Sequence, residues 1–153
     1  MALPTELSLS NHFTNLIGRT VNFTRTSNQN EAITRPIFGI YKSLPEESLF
    51  IVKADLSVFG SFAGALVGLP DSEVRRRLAA TEIDETLKDA ISEVFNVASA
   101  AISAKGRTVF EGMTTNPSSM SPEAKVMVSK PPHKLVFDVK IGDYQGGKFA
   151  VLF

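Results

Sequence analysis

The 153-residue chain contains no cysteine. That excludes a disulfide framework, a zinc ribbon, an iron–sulfur cluster and a thiol nucleophile, and a reducing cytoplasm is the expected setting. An excess of one charge is missing too: sixteen Lys and Arg stand against sixteen Asp and Glu. A protein built to bind nucleic-acid backbones or anionic membranes needs a basic surplus, so neither partner is expected. Histidine is scarce, with two in the chain. His12 and His133 lie far apart, outside any His-x-x-x-His pattern, and no acidic calcium loop occurs, so no metal of its own is expected. There is no Walker-type phosphate loop, no dinucleotide glycine fingerprint and no serine nucleophile elbow. Gly146-Gly147-Lys148 lies between strand-like runs, where a phosphate loop would require the start of a helix.

Long hydrophobic runs are also absent. The longest uncharged stretch, Leu56 to Pro70, has about 15 residues against the ~20 a membrane helix needs. Met1 to Glu6 shows no basic region followed by an apolar one, so no secretory leader is expected. What the chain does have is 43% apolar residues and 21% charged ones, an ordinary globular balance. Its length fits one domain over residues 1–153, able to bury roughly 70% of the surface that the unfolded chain exposes.

Periodicity divides the chain into blocks. Leu9, Phe13, Leu16 and Ile17 recur at helical spacing over Leu7 to Gly18, with Gly18 as a stop. Val21 to Thr26 reads as a strand, and Ser27 to Asn30 as a turn or loop. Ile33 to Leu44 and Ser48 to Asp55 flank Pro45-Glu46-Glu47 as a hairpin, and Pro36 puts the start of the first run at an edge. Leu56 to Leu69 is predicted helical, with glycines four apart on one face that let a neighbour approach closely. Asp71 or Ser72 is expected to cap a short helix, Glu73 to Ala79.

The longest periodic segment is Asp84 to Ala104, an amphipathic helix expected to lie on a sheet. Leu87, Ala90, Ile91, Val94, Val97, Ala98, Ala101 and Ile102 share one face. Beyond Gly106 the period becomes two. Arg107 to Met113 and Lys125 to Ser129 are strand candidates, separated by a loop around Asn116-Pro117. His133 is expected at a strand start. A terminal hairpin follows, from Leu135 to Ile141 and from Phe149 to Phe153, around Asp143-Tyr144-Gln145-Gly146-Gly147. Helices and strands in blocks predict an α+β domain with a mainly antiparallel sheet.

Two clusters stand out chemically. Arg75-Arg76-Arg77 reads either as a solvated helix turn or as a docking point for an acidic partner. Glu93 and Asn96, three apart on the polar face of the long helix, stand side by side. A carboxamide can both accept from and donate to a water, orienting it for in-line attack on a phosphoryl group. A neighbouring carboxylate can pair with a partner's lysine. Taken alone, such a pair is most often solvated decoration.

The stretch Leu87 to Ala101, with Glu93-Val94-Phe95-Asn96-Val97-Ala98-Ser99 at its centre, resembles the E-x-x-N helix of the CheC/CheX/FliY chemotaxis phosphatases. The preceding hairpin, the small-residue-rich helix ending Gly68-Leu69-Pro70 and the closing Phe137-Asp138-Val139 and Phe149-Ala150-Val151 strands are similar as well. The resemblance spans roughly Ile33 to Phe153. It implies helices packed on a long, mainly antiparallel sheet, and action on the aspartyl phosphate of a CheY-type response-regulator receiver domain. On that likeness Asn96 positions the attacking water and Glu93 engages the regulator's lysine. The regulator supplies Mg²⁺ along with the phosphoryl group.

A single E-x-x-N copy, together with an N-terminal helix that has no counterpart in the family pattern, points to the CheX-like branch, which is dimeric through joined sheet edges. Phe95 stands between the pair where a small residue is common, and Ala100 where a glycine often follows. Bulk at Phe95 bears on the packing beneath the pair and on its approach to a partner. The other readings of the same fold are a non-catalytic module that docks a regulator or signalling partner, and a structural homodimer.

Overall fold

The computed structural model describes residues 3–27, 32–102 and 107–153. Its centre is one six-stranded sheet in the order β1-β5-β6-β3-β2-β4, with every neighbouring pair antiparallel. The strands are β1 (Val21–Thr26), β2 (Pro36–Leu44), β3 (Ser48–Asp55), β4 (Arg107–Thr114), β5 (Lys134–Ile141) and β6 (Tyr144–Leu152). The hairpins β2–β3 and β5–β6 meet where β3 pairs with β6, and β1 and β4 form the two edges. The helices are α1 (Glu6–Ile17), α2 (Leu56–Leu66), α3 (Asp71–Leu78), α4 (Glu85–Ile102) and α5 (Pro122–Ser129). This is the expected α+β class.

Alternation along the strands sorts side chains to two faces. Phe23, Tyr41, Phe50, Val52, Phe137, Phe149 and Val151 face α1, α2 and α4 and form the main core. Phe38, Ile51, Val136, Ala150 and Leu152 face the other way, beneath Met120 and Ala124 next to and within α5. Phenylalanine dominates the larger layer: Phe13 stacks on Phe62 at 4.3 Å between ring centroids, and Phe59 on Phe95 at 3.8 Å. Stacked rings of this kind contribute about 0.5–1.5 kcal/mol beyond the area they bury.

Local chemistry explains the helix boundaries. Thr5 and Ser8 cap α1 reciprocally, and Gly18 ends it at φ 68°. On α2, the glycines spaced four apart admit α3: a Cβ on Gly60 would lie 2.5 Å from a Leu78 methyl, and one on Gly64 2.2 Å from a Val74 methyl. These glycines therefore serve close helix packing.

Several expectations need correction. Lys125 to Ser129 is not a strand but the body of α5. Ser121 accepts the Ala124 amide as N-cap and Pro122 opens the first turn, so capping overrides the β-branched composition of Val126 and Val128. Neither Asp71 nor Ser72 caps α3: Pro70 is the N-cap, and Asp71, already helical, spends its carboxylate on Arg75 and on the Gln145 amide. The terminal hairpin turns at Gly142-Asp143, so Tyr144 to Gly147 belong to β6, with a register shift between Val139 and Ile141. The start of β2 at Pro36 does lie at an open edge, as expected: Pro36 and Ile37 pair with β3 alone, and the pairing with β4 that makes the rest of β2 internal starts at Phe38. The helix expected over Leu56 to Leu69 ends at Leu66. Asn28 to Asn30 of the expected loop, Ser103 and Ala104 at the end of the expected long helix, and Gly106 lie outside the described residues. No described helix is long and apolar enough to cross a membrane.

Candidate functional site

Helix α4 begins where Asp84 accepts the Leu87 amide at 3.0 Å, a side-chain cap just ahead of the acidic first turn. Its apolar stripe of Leu87, Ala90, Ile91, Val94, Ala98 and Ile102 is buried against α2 and the sheet. The stripe turns the opposite face outward, where Glu93 and Asn96 are both exposed and the residues between them, Val94 and Phe95, are buried. At this spacing the two Cβ atoms stand about 5–6 Å apart. Neither side chain hydrogen-bonds or ion-pairs with another described residue.

Phe95 does not separate the pair. Its ring points inward, fully buried, stacked on Phe59 at 3.8 Å and on Phe110 at 5.7 Å. Gly39 on β2 makes the space, since a Cβ there would lie 2.4 Å from two Phe95 ring carbons. The Phe95 carbonyl accepts the Tyr41 hydroxyl at 2.6 Å, and Ser99 donates its hydroxyl to the Asn96 carbonyl at 2.8 Å. Burial pushes the Tyr41 phenol up, so it stays protonated and acts as a donor. Phe95 is thus the anchor beneath the pair, and its bulk adds nothing to the outer face.

The arginine cluster is largely consumed by its own helix and the segment that follows. Arg75 bonds Asp71 at 2.6 Å, Arg76 bonds Glu73, and Arg77 bonds Glu73 at 3.0 Å and Asp84 at 3.4 Å. The arginines hold the Glu73 carboxyl down to about 2, chiefly through the Arg76 hydrogen bond. His12 lies on α1 and His133 just ahead of β5, far from α4 in sequence. Among the described residues, no three His, Asp or Glu side chains gather into a group that could hold a metal. A cleft of about 680 Å³ opens at the N-terminal end of α4, beside Glu85, Lys88, Ile91 and Met113. Glu93 and Asn96 do not line it; both are exposed on the outer face of α4.

The sequence matches no established family profile and no curated protein. Solved structures do match. FliY from Thermotoga maritima superposes with a TM-score of 0.60 at 14% identity, covering 95% of this chain and 82% of its own. A chain of the FliG–FliM complex from Helicobacter pylori gives 0.59 at 11%, covering 97% and 85%. The H. pylori FliM middle domain gives 0.56 at 12%, covering 97% and 84%. The fold is that of FliY and the FliM middle domain. It is the fold expected from the resemblance to the CheC/CheX/FliY proteins. These matches, to FliY and to FliM, do not single out the CheX-like branch, and the branch stays open. Within this FliY-type fold, Tyr41 and Gly39 support the site without a signal of their own in the sequence. Their partner is a backbone carbonyl and a ring more than fifty residues onward, which no local pattern marks.

Proposed function

We propose that this chain is a cytoplasmic phosphatase acting on the aspartyl phosphate of a CheY-type response-regulator receiver domain. The observation that carries the reading is the exposure of Glu93 and Asn96 together on α4, with Val94 and Phe95 turned into the core between them. Hydrolysis of an acyl phosphate needs a water held in line with the departing carboxylate, and little other covalent chemistry from the catalyst. The Asn96 carboxamide can accept a hydrogen bond from that water through its oxygen and donate one through its NH₂ to the water oxygen or to the phosphoryl group, restricting the water to the line of attack. The Glu93 carboxylate, one helical turn away, pairs with a lysine of the receiver and sets the register of docking. The receiver brings its own phosphoryl group and Mg²⁺, which neutralises charge on the phosphoryl oxygens. The exposure of both side chains leaves this face of α4 open to a partner's approach.

A second reading has its own support. One of the similar structures is a FliG–FliM complex, so the same fold occurs in a protein that docks a partner. On that reading the chain is a non-catalytic module binding a signalling partner, or a homodimer joined through the open edges β1 and β4.

Phosphate release from a phosphorylated receiver separates these readings. The phosphatase account expects accelerated release, lowered about 100-fold or more by Asn96→Ala, and a raised KM for the receiver in Glu93→Ala. Tight binding without accelerated release supports the docking module instead.

A further inference from the structure

Three features of α4 converge on a single residue. The carbonyl before the Asn96 Cα, that of Phe95, accepts the buried Tyr41 hydroxyl at 2.6 Å. The carbonyl after it, that of Asn96 itself, accepts the Ser99 hydroxyl at 2.8 Å. The Phe95 ring is seated on Gly39 and clamped by Phe59. Both peptide planes flanking the Asn96 Cα are therefore tied by a side-chain donor in addition to the helix ladder. Among the described residues no side chain donates to the carbonyls of Ser92 or Glu93, which flank the Glu93 Cα. The two members of the pair are held unequally.

That asymmetry matches the geometry each role demands. A carboxamide that aims a water must hold direction to a fraction of an ångström. A carboxylate pairing with a long, flexible lysine tolerates slack. Tyr41 supplies the stronger of the two ties. It is fully buried, its ring is stacked on Phe50 at 5.1 Å, and its hydroxyl is the one side-chain donor reaching up from the sheet to the α4 backbone among the described residues. A hydrogen bond made away from water is stronger and more directional than the exposed one from Ser99.

We infer that Tyr41 is a positioning residue for Asn96, its phenol fixing the peptide plane from which the Asn96 side chain rises. This rests on the reading of Asn96 as the water-orienting group. Tyr41 touches neither water nor partner. It acts through the Phe95 carbonyl.

The test is Tyr41→Phe, which keeps the ring and its stacking and removes only the donor. Steady-state phosphate release from a phosphorylated receiver is expected to show kcat lowered about tenfold with KM changed less than twofold. Ile102→Val, a buried change on the same helix that leaves both carbonyl ties intact, is expected to keep kcat near wild type. A second readout needs no turnover: in ¹⁵N-resolved NMR spectra, Tyr41→Phe is expected to shift the Asn96 and Val97 backbone amides and the Asn96 side-chain amide, leaving the Glu93 amide in place. Equal loss of kcat in Tyr41→Phe and Ile102→Val would reduce the effect to general stability and overturn the inference. So would Asn96 resonances unmoved by loss of the hydroxyl. Wild-type protein that releases no phosphate contradicts the proposed function, and the Asn96 resonances then decide the tie from Tyr41 on their own.

Discussion

Gly39→Ala places a methyl group where the Phe95 ring now lies. The added Cβ would stand 2.4 Å from two ring carbons and 3.3 Å from the Tyr41 ring, far inside van der Waals contact for the former. The Phe95 ring cannot slide aside freely, because Phe59 stacks on it at 3.8 Å and Phe110 at 5.7 Å. Overpacking of this kind costs about 1–3 kcal/mol. Replacing glycine within a strand returns about 0.5–1 kcal/mol of backbone entropy. The net expectation is a loss of up to about 2.5 kcal/mol, or a melting temperature lower by up to roughly 10 °C for a domain of this size. Phe95→Leu alone also destabilises, by lost stacking and a partial cavity. Combined, the two changes should relieve one another, because the smaller side chain vacates the space the methyl enters. The double-mutant cycle, measured by urea unfolding with m-values compared across all four proteins, is expected to give a favourable coupling of about 1 kcal/mol or more. Additivity within about 0.5 kcal/mol would show that Phe95 does not rest on Gly39, and the account of how the Glu93/Asn96 face is held outward would fall with it.

Two further perturbations address other parts of the molecule. Gly64→Ala drives a Cβ to 2.2 Å from a Val74 methyl, so despite the better helix propensity of alanine it should loosen α3 from α2 and lower the urea midpoint, with partial recovery in Gly64→Ala/Val74→Ala. Glu73, whose carboxyl Arg76 and Arg77 hold down to about 2, binds its proton more readily in the unfolded chain than in the folded one. Its contribution is therefore complete above the ordinary glutamate value and is lost as pH falls toward 2. Thermal melts from pH 5 to pH 2.5 should fall more steeply for wild type than for Glu73→Gln, and 1 M salt should narrow the gap; parallel curves at low salt would contradict this.

The sequence was most legible where a single local rule decided the outcome. β1 and β3 appear at the residues expected, because both runs are rich in β-branched and aromatic residues. α4 shows its 3.6-residue period over 18 residues, long enough that no strand pattern competes. At α5 two local rules compete: Val126-Met127-Val128 has the composition of a strand, and the Ser121 cap with Pro122 ahead of it makes a helix. At the candidate site the pair itself could be found from spacing and family likeness. The inward turn of Phe95 was partly legible, since it falls four residues after Ile91 and three before Ala98, both buried. What made that turn possible was not: Gly39 and Tyr41 meet Phe95 only through the tertiary fold, and a backbone carbonyl as acceptor leaves no trace in side-chain pattern.

The most direct test of the central claim is phosphate release from a phosphorylated receiver domain with and without this protein, run beside Asn96→Ala at matched, verified folding. The account predicts faster release with wild type and a rate close to the receiver's own with Asn96→Ala. Acceleration that survives intact in Asn96→Ala would contradict it.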